Sequence, residues 1–263
     1  MTYPEISPII FQIGPLAVRW YGLMYLIGFG FAYWLLRRRA EQRDDWTAKD
    51  VEDLIFYGAI GVIVGGRLGY VFFYQFGEFL KDPLYLFKLT QGGMSFHGGL
   101  VGVLAAIGWF ARKQSRAFFD VADYLVPGVP LGLLFGRIGN FINGELWGKP
   151  TTVPWGFDVY GQRLHASQLY EAFLEGLVLF IVLWFFTTKS RPRMAASGLF
   201  LFLYGVFRFA VEFVRVPDEH LKYLALDWVT MGQVLSTPMI IAGLMLMFLA
   251  YRKSADVSSG VST

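Results

Sequence analysis

Long apolar runs separated by short charged stretches dominate the chain, and strict apolar–polar alternation is nowhere sustained. Runs at Trp20–Leu36, Leu54–Tyr74, Leu89–Ala111, Val121–Phe141, Leu169–Thr188, Ala195–Val214 and Trp228–Tyr251 are nearly free of charge. Each approaches the roughly 20 residues that a helix needs to cross about 30 Å of hydrocarbon. The pattern predicts an all-α polytopic membrane protein with seven transmembrane helices in a single integral domain over 1–263. The third span is read as 92–111, because Gln91-Gly92-Gly93 and Gly98-Gly99 favour turns and keep Met94–His97 non-helical at the membrane edge. Irregular backbone at that depth implies burial in protein or a watery cavity. Between the fourth and fifth spans, Gly148, Pro150, Pro154, Gly156 and Gly161 predict turns and short strands, a small head over 145–168.

Composition agrees: 55% of residues are hydrophobic and 16% charged, against roughly a quarter charged in soluble domains. Basic residues alternate between loops. One set holds thirteen (Arg37, Arg38, Arg39, Arg43, Lys49, Arg112, Lys113, Arg116, Lys189, Arg191, Arg193, Arg252, Lys253), and the other holds seven (Arg19, Lys81, Lys88, Lys149, Arg163, Arg215, Lys222). Lys and Arg are retained on the cytoplasmic side, so the N-terminus is expected outside and the C-terminus inside. No basic region precedes the first apolar run and no small-residue cleavage site follows it, so the first helix is expected to be retained. The net charge of +3, without a clustered basic face, gives no nucleic-acid footprint. Cysteine is absent, which excludes disulfides, thiolate metal sites and an enzyme thiol nucleophile; no metal or redox cofactor is implied.

Three further arginines, Arg67, Arg137 and Arg208, fall within or at the outer ends of spans, where a charge costs at least about 2.5 kcal/mol. Each could snorkel or pair structurally, but three in one half of the membrane favour function. The richest segment, Arg137-Ile-Gly-Asn140-Phe-Ile-Asn143-Gly-Glu145-Leu-Trp147-Gly148, puts a guanidinium, two amides and a carboxylate at one helix end. A plain polar exit into water is its bland reading. Tyr204, Arg208 and Glu212, spaced i, i+4, i+8, fall within a ~80° arc over ~12 Å of helix. Arg208 and Glu212 could simply neutralise each other. His97, flanked by glycines, suits proton transfer near neutral pH, although a lone histidine at a membrane edge is more often structural. His165 precedes the fifth span, where it or Ser167 could cap the helix. Three planar guanidinium forks at head-group depth suit the phosphate of an anionic lipid, and they stabilise it most if its charge grows as it leaves.

Trp20-Tyr21-Gly22, Gly65-Gly66-Arg67, Met94-Ser-Phe-His97-Gly-Gly99, the Arg137–Gly148 run, His165–Glu171 and Tyr204–Glu212 together resemble bacterial prolipoprotein diacylglyceryl transferases over nearly the whole chain. The most specific part resembles the family signature Arg-x-Gly-Asn-Phe-x-Asn-Gly-Glu. The resemblance implies a multi-pass enzyme of the bacterial inner membrane, acting as a monomer without cofactor on its periplasmic side. In its reaction a lipobox cysteine thiol of a prolipoprotein attacks phosphatidylglycerol, forming a thioether and releasing glycerol phosphate. It implies functional roles for Tyr21, His97, Arg137, Asn140, Glu145, Gly148, Arg208 and Glu212, with Arg67 and Tyr204 in support; Asn143 and His165 join the expected substrate-binding set. The external stretch from Trp147 to His165 is shorter than in some members, so head details do not carry over. A lipid flippase is the rival from another class, but it needs midplane sites, often in two halves, and no such pair is seen. An intramembrane protease lacks support: no His-Glu-x-x-His occurs, and Ser197 lies at the cytoplasmic end of its span.

Overall fold

The computed structural model describes all residues except Glu5, Pro15, 89–91, 218–223, Asp227 and 261–263, with side chains also undescribed at Leu16 and 255–260. The expectations placed on Leu89, Gln91, Lys222 and the last tail residues therefore lie outside the described part. Each of the seven apolar runs contains helix, and the large apolar side chains on their outer faces, among them Phe31, Trp34, Phe56, Ile60, Phe185 and Phe248, are exposed. That arrangement suits a hydrocarbon solvent. Among the described residues, three helical stretches are long and apolar enough to cross a bilayer: Ala48–Tyr74, Ser167–Phe186 and Met231–Ser254. A fourth crossing arises if the pair Phe118–Leu125 and Val129–Ile142, bent by 49°, acts as one.

Helix ends follow local chemistry, and they move several predicted boundaries. A hairpin, β1 (Ile9–Ile13) with β2 (Leu16–Arg19), leads into α1 (Trp20–Ala40), whose last turn carries Arg37, Arg38 and Arg39 as the helix dipole favours. α2 (Ala48–Tyr74) opens on a capping box between Thr47 and Asp50. A short α3 (Phe76–Lys81) and a 3₁₀ turn (Pro83–Phe87) follow. α4 (Phe96–Lys113) starts later than the predicted 92, because Ser95 caps it, accepting from the Gly98 N–H at 3.3 Å. Met94 and Ser95 are non-helical as expected, whereas Phe96 and His97 are helical. The fourth run is α5 (Phe118–Leu125) plus α6 (Val129–Ile142), the latter with a proline in its first turn. The fifth comprises α7 (Ser167–Glu171), a π-helical stretch Ala172–Val178 and α8 (Leu179–Phe186). α9 (Ala195–Val211) stops short of 214, and α10 (Met231–Gly260) starts at Met231 rather than Trp228. The Asp123 carboxylate caps α9 from another element, accepting from the N–H groups of Met194 (2.6 Å) and Ser197 (2.8 Å).

The chain forms two compact units, Met1–Trp34 with Asp123–Thr263, and Leu35–Ala122. In the second, α2 and α4 pack through a seam of glycines. A Cβ on Gly65 would stand 2.8 Å from the Gly102 Cα and closer still to the Gly98 carbonyl, and one on Gly69 would stand 2.8 Å from the Gly98 Cα. Such backbone approach is how helices associate where lipid is as apolar as leucine. Gly65→Leu is therefore expected to pry this pair apart and to lower the thermal midpoint in detergent by several degrees, as a loss of about 1–3 kcal/mol from overpacking does. An unchanged midpoint contradicts the seam.

In the first unit, α6 lies against the π-helical stretch, where a Cβ on Gly176 would stand 2.8 Å from the Leu134 Cα. This contact sets α6 beside the helix carrying Glu171. Residues 145–168 fold around a two-stranded hairpin, β3 (Phe157–Val159) with β4 (Gln162–Leu164), joined by bridges Pro150–Leu164 and Gly148–Arg215.

Candidate active site

Glu171, at the end of α7, is completely buried and is the hub of the first unit's charges. Its Oε2 is 2.6 Å from Arg137 Nε on α6, and its Oε1 accepts from Arg208 on α9 at 2.8 Å. Arg215, just beyond α9, contacts the same oxygen. Glu212 supplies the second carboxylate: its Oε1 contacts Arg208 four residues earlier and Arg215 Nε at 3.1 Å. The expected Arg208–Glu212 pair thus exists, but as part of a five-member cluster with three guanidinia and two carboxylates. The carboxylates are sealed, with side-chain exposures of 0% and 5%, while Arg137, Arg208 and Arg215 keep 22%, 18% and 13%. Guanidinia that keep some exposure while braced by sealed carboxylates have N–H groups left with which an anion could be held. Glu175, also fully buried, follows one π-turn later, and neither of its oxygens is hydrogen-bonded.

From Arg137 the network runs outward along its own helix end. Asn140 is buried; its Oδ1 faces Arg137 at 3.5 Å and its Nδ2 donates to Glu145 Oε2 at 3.3 Å. Asn143 donates to the other Glu145 oxygen at 3.1 Å. The signature run is therefore a chain of contacts. Tyr21 of α1 packs on the same turn: a Cβ on Gly139 would stand 3.1 Å from its ring, and its hydroxyl is 3.2 Å from that of Tyr25. Tyr204, four residues before Arg208, lies one turn along α9 and stacks on Phe200 at 5.9 Å.

Gly148 lets the head segment meet the chain just after α9. Its N–H donates to the His165 carbonyl at 2.8 Å, and a Cβ would stand 2.9 Å from His165 Cβ and closer still to the Val214 carbonyl. His165 Nδ1 lies 3.1 Å from the Tyr170 hydroxyl, and burial holds its imidazole below the usual histidine value. Neither His165 nor Ser167 caps the fifth helix. Ala166 occupies that place without a side-chain bond, and Ser167 donates instead to the Leu146 carbonyl at 2.7 Å. A cavity of about 390 Å³, lined by Leu146, Trp147, Gly148, Gln162, Leu164 and Arg215 among others, opens beside the cluster.

Arg67 and His97 belong to the second unit. The Arg67 guanidinium is buried and donates to the carbonyls of Tyr85, Leu86, Lys88, Gly92 and Gly93, at 2.5 to 3.2 Å. A fork committed in this way holds the backbone at Tyr85, Leu86 and Lys88 and at Gly92 and Gly93, so the expected phosphate fork is not offered by Arg67. His97 is exposed in the first turn of α4, with its ring edge-on to Phe96 at 5.7 Å.

Sequence reasoning missed Glu171 as the hub, Arg215 as its third partner, and Tyr3. The Tyr3 hydroxyl donates to the Phe141 and Ile142 carbonyls at 2.8 and 3.0 Å, and its ring packs edge-on to Trp147. A carboxylate inside an apolar run was the available signal for Glu171; Arg215 reads as an ordinary loop charge.

These features define a helical membrane protein with a cluster of arginines braced by buried carboxylates beside a small polar head. The chain belongs to the prolipoprotein diacylglyceryl transferase family, whose sequence model matches residues 8–249. It is 60% identical over 262 residues to the phosphatidylglycerol–prolipoprotein diacylglyceryl transferase of Methylococcus capsulatus, covering 97% of this chain and 100% of that one. The enzymes of the same name from Aliivibrio salmonicida (56% identical; 97% and 91% covered) and Pseudomonas syringae pv. syringae (53%; 100% of both) are similar throughout.

Proposed function

We propose that the arginine–glutamate cluster holds the phosphate of phosphatidylglycerol while its diacylglyceryl group passes to the thiol of a prolipoprotein lipobox cysteine. The enzyme is a transferase of the bacterial membrane in lipoprotein biosynthesis. The thiolate sulfur attacks the glyceryl carbon that bears the phosphate ester. The S–C bond forms, the C–O bond breaks, and glycerol phosphate leaves as its charge grows from one towards two. The observation that carries this reading is the convergence of three guanidinia on two sealed, ion-paired carboxylates, with Arg137 and Arg208 part-exposed and held by Glu171. Donors fixed in advance gain most when negative charge develops on what they hold.

In this account Tyr21, Asn140, Asn143 and Glu145 hold Arg137 and its helix end, Tyr204 flanks Arg208, and Gly148 and His165 join the head to the cluster. Arg67 orders the segment ahead of His97. The cluster lies at the periplasmic end of one seven-span domain in the inner membrane, with the C-terminus cytoplasmic and the chain acting as a monomer. His97 is the candidate acceptor of the thiol proton, whose ordinary pKa is about 8.5. His97→Gln is expected to lower kcat by about 10²-fold at neutral pH and to recover activity as pH rises towards the thiol value. Full activity at pH 7 removes His97 from the proton step.

The deciding experiment incubates the purified full chain with phosphatidylglycerol and a lipobox peptide. Equal amounts of glycerol phosphate and thioether-modified peptide support the reading. Movement of intact lipid without either product favours a flippase.

A further inference from the structure

Glu212 touches both Arg208 and Arg215 through one oxygen, and its second oxygen points to the start of another helix. There Thr230 donates its hydroxyl proton to Glu212 Oε2 at 2.6 Å. The same hydroxyl accepts from the Gln233 N–H at 3.3 Å, while Gln233 Oε1 accepts from the Thr230 N–H at 3.0 Å. This is a reciprocal cap on α10, and Glu212, Thr230 and Gln233 are all buried. Gly232, in the first turn, leaves room for the carboxylate: a Cβ there would stand 2.8 Å from Glu212 Cγ and closer to its carboxyl group. The carboxylate thus lies across the positive end of a long helix, where its charge is favoured.

We propose that Thr230 and Gly232 are positioning residues: they seat Glu212, and through it fix the guanidinia of Arg208 and Arg215 for the anionic lipid head group. The inference rests on the reading of the cluster as the lipid phosphate site. A serine preserves both roles of the hydroxyl, valine preserves only the shape, and an alanine at Gly232 displaces the carboxylate without touching any charge.

The test compares wild type, Thr230→Ser, Thr230→Val and Gly232→Ala as full-length proteins in detergent, with short-chain phosphatidylglycerol and a lipobox peptide. Thr230→Val is expected to raise the lipid KM about tenfold, the worth of one hydrogen bond to a charged group, and to leave the peptide KM within about twofold. Thr230→Ser is expected to restore the lipid KM, and Gly232→Ala to resemble Thr230→Val. An unchanged lipid KM in Thr230→Val overturns the proposal, as does a joint change of both constants that serine fails to rescue. If Gly232→Ala does not fold, the Thr230 pair still decides. Titration with glycerol phosphate by calorimetry separates this inference from the transferase reading. Absence of turnover in wild type sinks that reading, whereas binding kept by Thr230→Ser and weakened in Thr230→Val supports the seat; equal binding by all, or none, overturns it.

Discussion

Arg137→Ala is expected to lower transfer from phosphatidylglycerol by about 10³-fold, the upper range for removing one preorganised donor from a developing oxyanion. Arg137 reaches the cluster from α6 and is fixed on both sides, by Glu171 at 2.6 Å and by Asn140 at 3.5 Å. Such bracing removes reorganisation at the moment of reaction, so the loss falls on kcat as well as on lipid binding. Arg137→Lys keeps the charge but loses the planar fork, and recovers only a small part of the rate. The measurement is glycerol phosphate release at saturating peptide. Lysine restoring most of the rate contradicts the fork geometry, and an active alanine variant removes Arg137 from the site.

Glu171→Gln is expected to be the most destabilising single change in the cluster, at about 3 kcal/mol, because it removes a fully buried charge shared by three part-buried guanidinia. Arg137, Arg208 and Arg215 come from α6, α9 and the chain just after α9, so losing the hub also loosens the joint between those elements. Glu175→Gln is the internal control. Glu175 is equally buried, but its oxygens make no hydrogen bonds, so its amide breaks no bond and is expected to cost less than the same change at Glu171. Denaturation midpoints of the two variants in one detergent decide the matter, and equal midpoints contradict a hub at Glu171.

Local spacing made part of this site legible in the sequence. Arg137, Asn140, Asn143 and Glu145 lie within nine residues and contact one another in a chain, and Arg208 and Glu212 meet one helical turn apart. The apolar runs likewise located helices, since a segment that must satisfy its own backbone in hydrocarbon has few other choices. Their ends were less legible. Ser95 and Thr230 set where α4 and α10 begin, and each is one polar residue beside an apolar run. Long-range convergence was least legible of all: Glu171 meets Arg208 across 37 positions, and Thr230 meets Glu212 across 18. Arg67 shows the converse, where the right residue type at the right depth serves the backbone through five carbonyls.

The central claim, that Arg137 and Arg208 hold the lipid phosphate, is tested most directly by ³¹P NMR of short-chain phosphatidylglycerol titrated into the full-length protein without peptide. The account predicts a shifted, saturable phosphate resonance in wild type that both Arg137→Ala and Arg208→Ala lose, while Lys113→Ala, on α4 and outside the cluster, keeps it. A resonance that shifts equally in all four proteins contradicts the claim and places the phosphate elsewhere.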